Sequence, residues 1–320
     1  MTRAGDLRAW AVLVVGAACA AVVAVIAGVA LDAGEARAAT PTRATIEATQ
    51  FTVQSGQTGE AFAVCPGTKR AVGGGVVQSG PAVVGISVAA SGPLDGTGVT
   101  LNTRDGDVAK QWYAAADNFT ATQRIFKVFA ICSSNSTATI EATPITIQPG
   151  QDLGEEFAVC PGNRRVLGGG VVQSGSPDDI VTMASGPLDG TGFTSQTVTG
   201  DVAKQWYAAV EVISGEQRTL KVFAICSGDS SARIKASAFS VESDQTGEAF
   251  ARCGSSKRAL GGGVVQSGTP DDLLTRASGP LDGTGVTLET RDGDVAKQWY
   301  AAQRNNSGPL RQFKVFAICE

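Results

Sequence analysis

The chain has 320 residues, a formal net charge of −4 and no histidine. Mild acidity without any basic run argues against a nucleic-acid partner, because such partners are held by clustered Lys and Arg. The lack of histidine excludes Ser-His and Cys-His nucleophile pairs and the histidine ligands on which most catalytic zinc sites rely.

The first element is an apolar run from Trp10 to Leu31, preceded by Arg3 and Arg8 and followed by Ala36-Arg37-Ala38. A basic start, an apolar stretch and a small-x-small site together read as a secretion signal over residues 1–38, with a short tail at 39–43. Two alternatives stand beside it. The run is long enough to be a retained membrane anchor, and Cys19 after Ala17-Ala18 is a weak lipoprotein candidate, with Gly16 where a Leu-like residue belongs. The membrane is therefore expected as a partner only through an uncleaved signal segment. Residues 1–38 carry Arg3, Arg8 and Arg37 against Asp6, Asp32 and Glu35, so the mature chain stays mildly acidic.

From Ala44 onward the chain repeats itself. "ATIEAT" at Ala44 recurs at Ala138, and as "ARIKAS" at Ala232, giving copies over 44–134, 138–228 and 232–320. Copies of this length can each bury a core, so the expected architecture is all-β: three tandem small antiparallel sandwich or barrel domains, arranged as beads on the polar linkers "SSNST" and "SGDSS". Strand candidates in copy 1 are "IEATQFTV", "EAFAV", "RAVGGGVVQS", "VVGISVAAS", "TGVTLNT", "KQWYAAA" and "RIFKVFAIC". The last is apolar on both faces by the two-residue strand period, so it belongs in mid-sheet, with "EAFAVC" as the expected neighbour.

Each copy holds two cysteines, and six in a secreted chain imply a disulfide framework with fifteen connectivities. The simplest is Cys65–Cys132, Cys160–Cys226 and Cys253–Cys319, each bridge contributing about 4 kcal/mol by loop-closure entropy. A ring linking Cys132 to Cys160, Cys226 to Cys253 and Cys65 to Cys319 is the competing pattern.

Three blocks recur in every copy. The triplets Gly73-Gly74-Gly75, Gly168-Gly169-Gly170 and Gly261-Gly262-Gly263 lie within strand patterns, where glycine marks a bulge, a bend or close backbone approach. No helix or Lys-Ser/Thr follows, so they do not read as phosphate cradles. "SGPLDGTG" at Ser91, Ser185 and Ser278 reads as a turn. Its Asp95, Asp189 and Asp282 also offer ligands to calcium, with Asp178-Asp179 and Asp271-Asp272 as helpers that copy 1 lacks. Turn chemistry is the preferred reading, with neither metal nor cofactor expected. "GDVAKQWYAA" places Trp112, Trp206 and Trp299 on one strand face as core aromatics. Tyr113, Tyr207 and Tyr300 then sit on the other face near the surface, edged by Lys110, Lys204 and Lys297. Asn118, Asn135 and Asn305 begin N-x-S/T triplets, expected in exposed loops. Asp178 with Asp189 is the nearest carboxylate pair for glycoside hydrolysis, but so small a domain has little room for the required cleft, and no enzymatic activity is expected.

Cys65-Pro66-Gly67 with Gly73-Gly74-Gly75 and Val128 to Cys132 resembles a repeat of uncharacterised secreted proteins from high-GC Gram-positive bacteria. Copy 2 shares the pattern, whereas copy 3 reads Cys253-Gly254-Ser255. The resemblance implies secretion and a compact disulfide-linked domain, without a defined activity.

These readings converge on a secreted, non-catalytic binding or adhesion protein. Its three modules would engage extracellular polysaccharide, cell wall or a matrix protein by avidity, through the tyrosines, lysines and "SGPLDGTG" loops. A structural surface or matrix protein without a ligand is the main alternative, and an inhibitor or toxin the third.

Overall fold

A computed structural model of the chain describes residues 43–80, 82–97, 102–191, 196–284 and 289–320. The signal or anchor segment at 1–38, Cys19 and most of the tail at 39–43 lie outside these residues, as does the centre of the "TGVTLNT" strand candidate.

The protein is all-β, and the described residues form six strands in each repeat. Repeat 1 contains β1 (Ala44–Val53), β2 (Gln57–Val64), β3 (Arg70–Gln78), β4 (Ile86–Leu94), β5 (Gln111–Asn118) and β6 (Arg124–Ser133). Repeat 2 contains β7 (Thr139–Ile147), β8 (Leu153–Val159), β9 (Arg165–Gln173), β10 (Ile180–Leu188), β11 (Gln205–Val212) and β12 (Arg218–Ser227). Repeat 3 contains β13 (Arg233–Val241), β14 (Thr246–Arg252), β15 (Ala259–Gln266), β16 (Leu273–Leu281), β17 (Gln298–Asn305) and β18 (Arg311–Cys319).

Each repeat is a small sandwich of two antiparallel three-stranded halves, β1-β6-β3 facing β2-β5-β4 in repeat 1. As expected, β6 is flanked on both sides. Its neighbours, however, are β1 and β3, whereas β2 pairs with β5 in the opposite half. The Cys65–Cys132 bridge therefore crosses the sandwich instead of linking neighbouring strands. Cys160–Cys226 and Cys253–Cys319 complete the intra-repeat set.

The repeats are not separate beads. Each half joins the half of another repeat, giving three six-stranded sheets: β1-β6-β3-β16-β17-β14, β2-β5-β4-β9-β12-β7 and β13-β18-β15-β10-β11-β8. The joins are narrow, one bridging pair each at Ser278↔Val76, Ser91↔Val171 and Ser185↔Val264. They are cyclic, so repeat 3 closes onto repeat 1 and the described residues belong to one compact unit. The linkers help to tie this ring. Thr137 Oγ1 donates to Asp229, and Ser230 Oγ to Glu320.

The glycine triplets make the closure sterically feasible, and each position meets a different neighbour. A Cβ on Gly73 would lie 2.1 Å from the Leu260 carbonyl oxygen, one on Gly261 2.2 Å from that of Leu167, and one on Gly168 2.5 Å from that of Val72. These contacts run round a pseudo-threefold axis. At the second position a Cβ on Gly74 would come within 2.4 Å of the Trp112 ring, and at the third one on Gly75 would lie 2.2 Å from the Ser278 carbonyl oxygen. The tryptophans are core residues, at most 2% exposed, and their Nε1–H groups donate to Ser91, Ser185 and Ser278 at 2.9 Å. The space left among these side chains is only about 20 Å³, room for about one water.

A loop from each repeat also covers the next. Gly106 and Asp107 exchange backbone hydrogen bonds with Ile140, Gly200 and Asp201 with Ile234, and Gly293 and Asp294 with Ile46. The Gly-Asp of "GDVAKQWYAA" thus caps the outer strand of a neighbouring sandwich and occupies an edge otherwise open to further pairing.

Gly74→Ala should lower stability by about 2 kcal/mol or more, since its methyl group meets a ring held on all sides. Gly254→Ala, with nothing within 4 Å of the added Cβ, should change it by less than about 0.5 kcal/mol. Denaturant unfolding followed by tryptophan fluorescence separates the two, and equal effects would contradict this packing.

Candidate functional site

The tyrosines do not form an exposed platform. Tyr113, Tyr207 and Tyr300 are 1%, 4% and 2% exposed, so both aromatics of the repeated block are buried, not one. Strand alternation does put Tyr113 opposite Trp112, but the Phe62 ring packs against it at 5.2 Å, tilted by 44°, and the Tyr113 hydroxyl donates to Glu60 at 2.6 Å. Tyr207 and Tyr300 repeat this with Glu155 and Glu248. Burial and the adjacent carboxylate push all three phenols above their ordinary range.

Lys110, Lys204 and Lys297 are half-buried and reach backbone carbonyls of the turn before the glycine strand: Lys69, Gly162 with Arg164, and Lys257. "SGPLDGTG" is only partly a turn. Ser91–Leu94 completes β4, with Pro93 opposite Trp112, and the chain leaves the sheet at Asp95. Pairing with β9 ends at Ser91, so the missing proline N–H costs no ladder bond there. The Asp95 carboxylate accepts from Thr97 and Thr103, Asp189 from Thr191 and Thr197, and Asp282 from Thr284 and Thr290. These are loop-closing bonds. Among the described residues no group of three or more potential ligands is gathered for a metal ion.

Asp178 and Asp179 also part company. Asp179 is buried against Arg218, whereas Asp178 is exposed beside another repeat. Two of the three N-x-S/T asparagines are buried, contrary to expectation. Asn118 donates to the carbonyls of Val53 and Thr122, and Asn305 to those of Val241 and Pro309, fastening strand ends. Asn135 is exposed.

A concave surface lies instead where repeats 1 and 2 meet. A groove of about 720 Å³ runs between Gly56–Glu60 of repeat 1 and Gly175–Asp178 of repeat 2, with Phe119 in its wall. Phe119 is 59% exposed, unusual for so large an apolar side chain beside polar neighbours. Gln57, Thr58, Glu60 and Asp178 supply hydrogen-bonding groups around it. Sequence reasoning missed this site because its residues come from two repeats and because Phe119 stands at a position that differs between copies. Phe119 corresponds to Ile213 and Asn306, of which Ile213 is 56% exposed.

Under the groove lies Asp117, 1% exposed, accepting from Thr58 Oγ1 at 2.6 Å and Ser87 Oγ at 2.8 Å. Burial pushes its carboxyl up to about 6, with a further contribution from the charge of Asp178, against the lowering effect of the two hydroxyls. Glu211, at the corresponding position of repeat 2, is raised by burial and by Asp272, Asp152 and Asp271. Repeat 3 has Arg304 at this position.

No protein-family model matches the chain, and a search of curated proteins finds no match to it.

Asp117 binds its proton more tightly in the folded than in the unfolded chain, where a carboxyl titrates near about 3.9. The stability it contributes is therefore complete below about pH 4 and is lost as pH rises through about 6, on the order of 3 kcal/mol in all. Asp117→Asn should remove that part of the slope. Denaturation midpoints of both proteins between pH 4 and 7 test this, and parallel profiles would contradict it.

Proposed function

We propose that this is a secreted, non-catalytic binding protein that engages an extracellular polysaccharide, of cell wall or matrix, through the groove between repeats 1 and 2 and the corresponding faces of its other junctions. The observation that carries this reading is the groove itself. An exposed aromatic ring stands there among hydroxyl, amide and carboxylate side chains, the mixed apolar and polar surface that sugar rings require.

Three further features support it. The cyclic fold presents corresponding junctions around one rigid body, so a repetitive polymer can be held at more than one point with an affinity above that of any single contact. The three disulfides suit an oxidising compartment, in keeping with the secretion signal read at 1–38. Against glycoside hydrolysis, the raised carboxyl of Asp117 is enclosed, both its oxygens engaged by Thr58 and Ser87. Of the expected pair Asp178 and Asp189, Asp189 is committed to its own loop.

Retention of the mature protein on insoluble cell-wall and polysaccharide preparations tests the reading. Phe119→Ala should weaken binding about 10-fold, equivalent to about 1.4 kcal/mol, and adding Ile213→Ala should weaken it further. Neither change touches the core, so melting temperature should stay within a few degrees of the parent. Unchanged retention of the double variant, or none by the parent on any preparation, would overturn the proposal.

A further inference from the structure

The third junction differs chemically from the other two. In repeat 1, one row across β2-β5-β4 reads Thr58, Asp117 and Ser87, and the carboxylate is held by hydroxyls from both sides. The corresponding row of repeat 3 pairs Thr246 and Leu274 with Arg304. Arginine thus stands where repeat 1 has a carboxylate, and it turns to the loop at the strand end, bonding Asn306 and the Asp244 carbonyl and pairing with the exposed Asp244 carboxylate at 3.8 Å. Thr246 Oγ1 is left buried without a hydrogen-bond partner.

On the other side of β17 from Thr246, at the β16 bulge between Thr275 and Ala277, stands Arg276. The matching bulge residues are Ala89 and Met183, so a guanidinium is found only in repeat 3. Arg276 is 3% exposed, its Nε is buried without a partner, and no carboxylate among the described residues forms an ion pair with it. Burial and the like charge of Arg304 together lower its pKa to about 10. A buried cation of this kind is costly unless paired, which is why buried charges in proteins are paired as a rule. The loop bearing Asp178-Asp179 in repeat 2 and Asp271-Asp272 in repeat 3 reads Ala82-Val83-Val84 in repeat 1, so the third junction receives no acid from that source either.

We propose that repeat 3 holds an oxyanion site, in which Arg276 and the Thr246 hydroxyl, beside Arg304, take the carboxylate of a ligand. Repeat 1 shows the same row satisfied from within the chain by Asp117. Arginine adds a planar fork of donors that matches a carboxylate in two-point contact. The site stands independently of the polysaccharide reading; where both hold, it selects polymers bearing carboxylates.

The test is thermal stability of the whole mature protein titrated with sodium acetate, and separately with inorganic phosphate, at constant ionic strength set by chloride. Acetate should give a saturable rise in melting temperature with a millimolar midpoint. Arg276→Met, which installs the residue type repeat 2 buries at this position, should keep the fold and weaken that response at least 10-fold. Thr246→Val should weaken it less. Equal responses from parent and Arg276→Met, no saturable response from the parent, or stabilisation by phosphate alone would overturn the assignment.

Discussion

Three backbones pass one another at the centre of this molecule at a separation that excludes even a methyl group. Gly73, Gly168 and Gly261 each face a carbonyl of another repeat where a Cβ would stand at 2.1 to 2.5 Å. That constraint lets the three sandwiches lean together, brings β3, β9 and β15 to the axis, and allows each to pair with a strand of another repeat. Neighbouring glycines in the same triplets make room for the tryptophans and for the sheet joins. The close backbone approach expected of the repeated triplets is the steric requirement of closure.

Closure also decides what is surface. Strand alternation alone places Tyr113 and Phe129 on faces away from the sandwich core, and both are buried. Lys127 donates to the Thr290 carbonyl and Lys221 to that of Thr103, so loops from other repeats lie across those outer faces. The free surface is correspondingly moved to the junctions, where the groove and Phe119 lie.

Much of the fold was legible in the sequence because it rests on local or periodic signals. The β class and the buried tryptophans follow from alternation, and the intra-repeat disulfides were the simplest of the fifteen pairings that the cysteine count allows. What escaped depends on contacts between copies. No local signal says that β2 belongs to the sheet opposite β6, or that Asn118 is an internal fastener and not a loop tip. The candidate site was hidden for a related reason. Identical blocks draw the eye, yet here they are occupied with architecture, and the chemistry sits at positions where the copies diverge: Asp117, Glu211 and Arg304, or Phe119, Ile213 and Asn306. A triplicated chain can keep one scaffold and vary one junction at a time.

The central claim is that closure at the axis couples the repeats, and hydrogen exchange on the full mature chain carrying Gly73→Ala tests it most directly. The substitution lies in repeat 1, but its methyl group meets Leu260 and Gly261 of repeat 3. Faster exchange in β15 and β16 as well as in β3 is the predicted result. Acceleration confined to repeat 1, with repeat 3 protected as in the parent, would contradict the account.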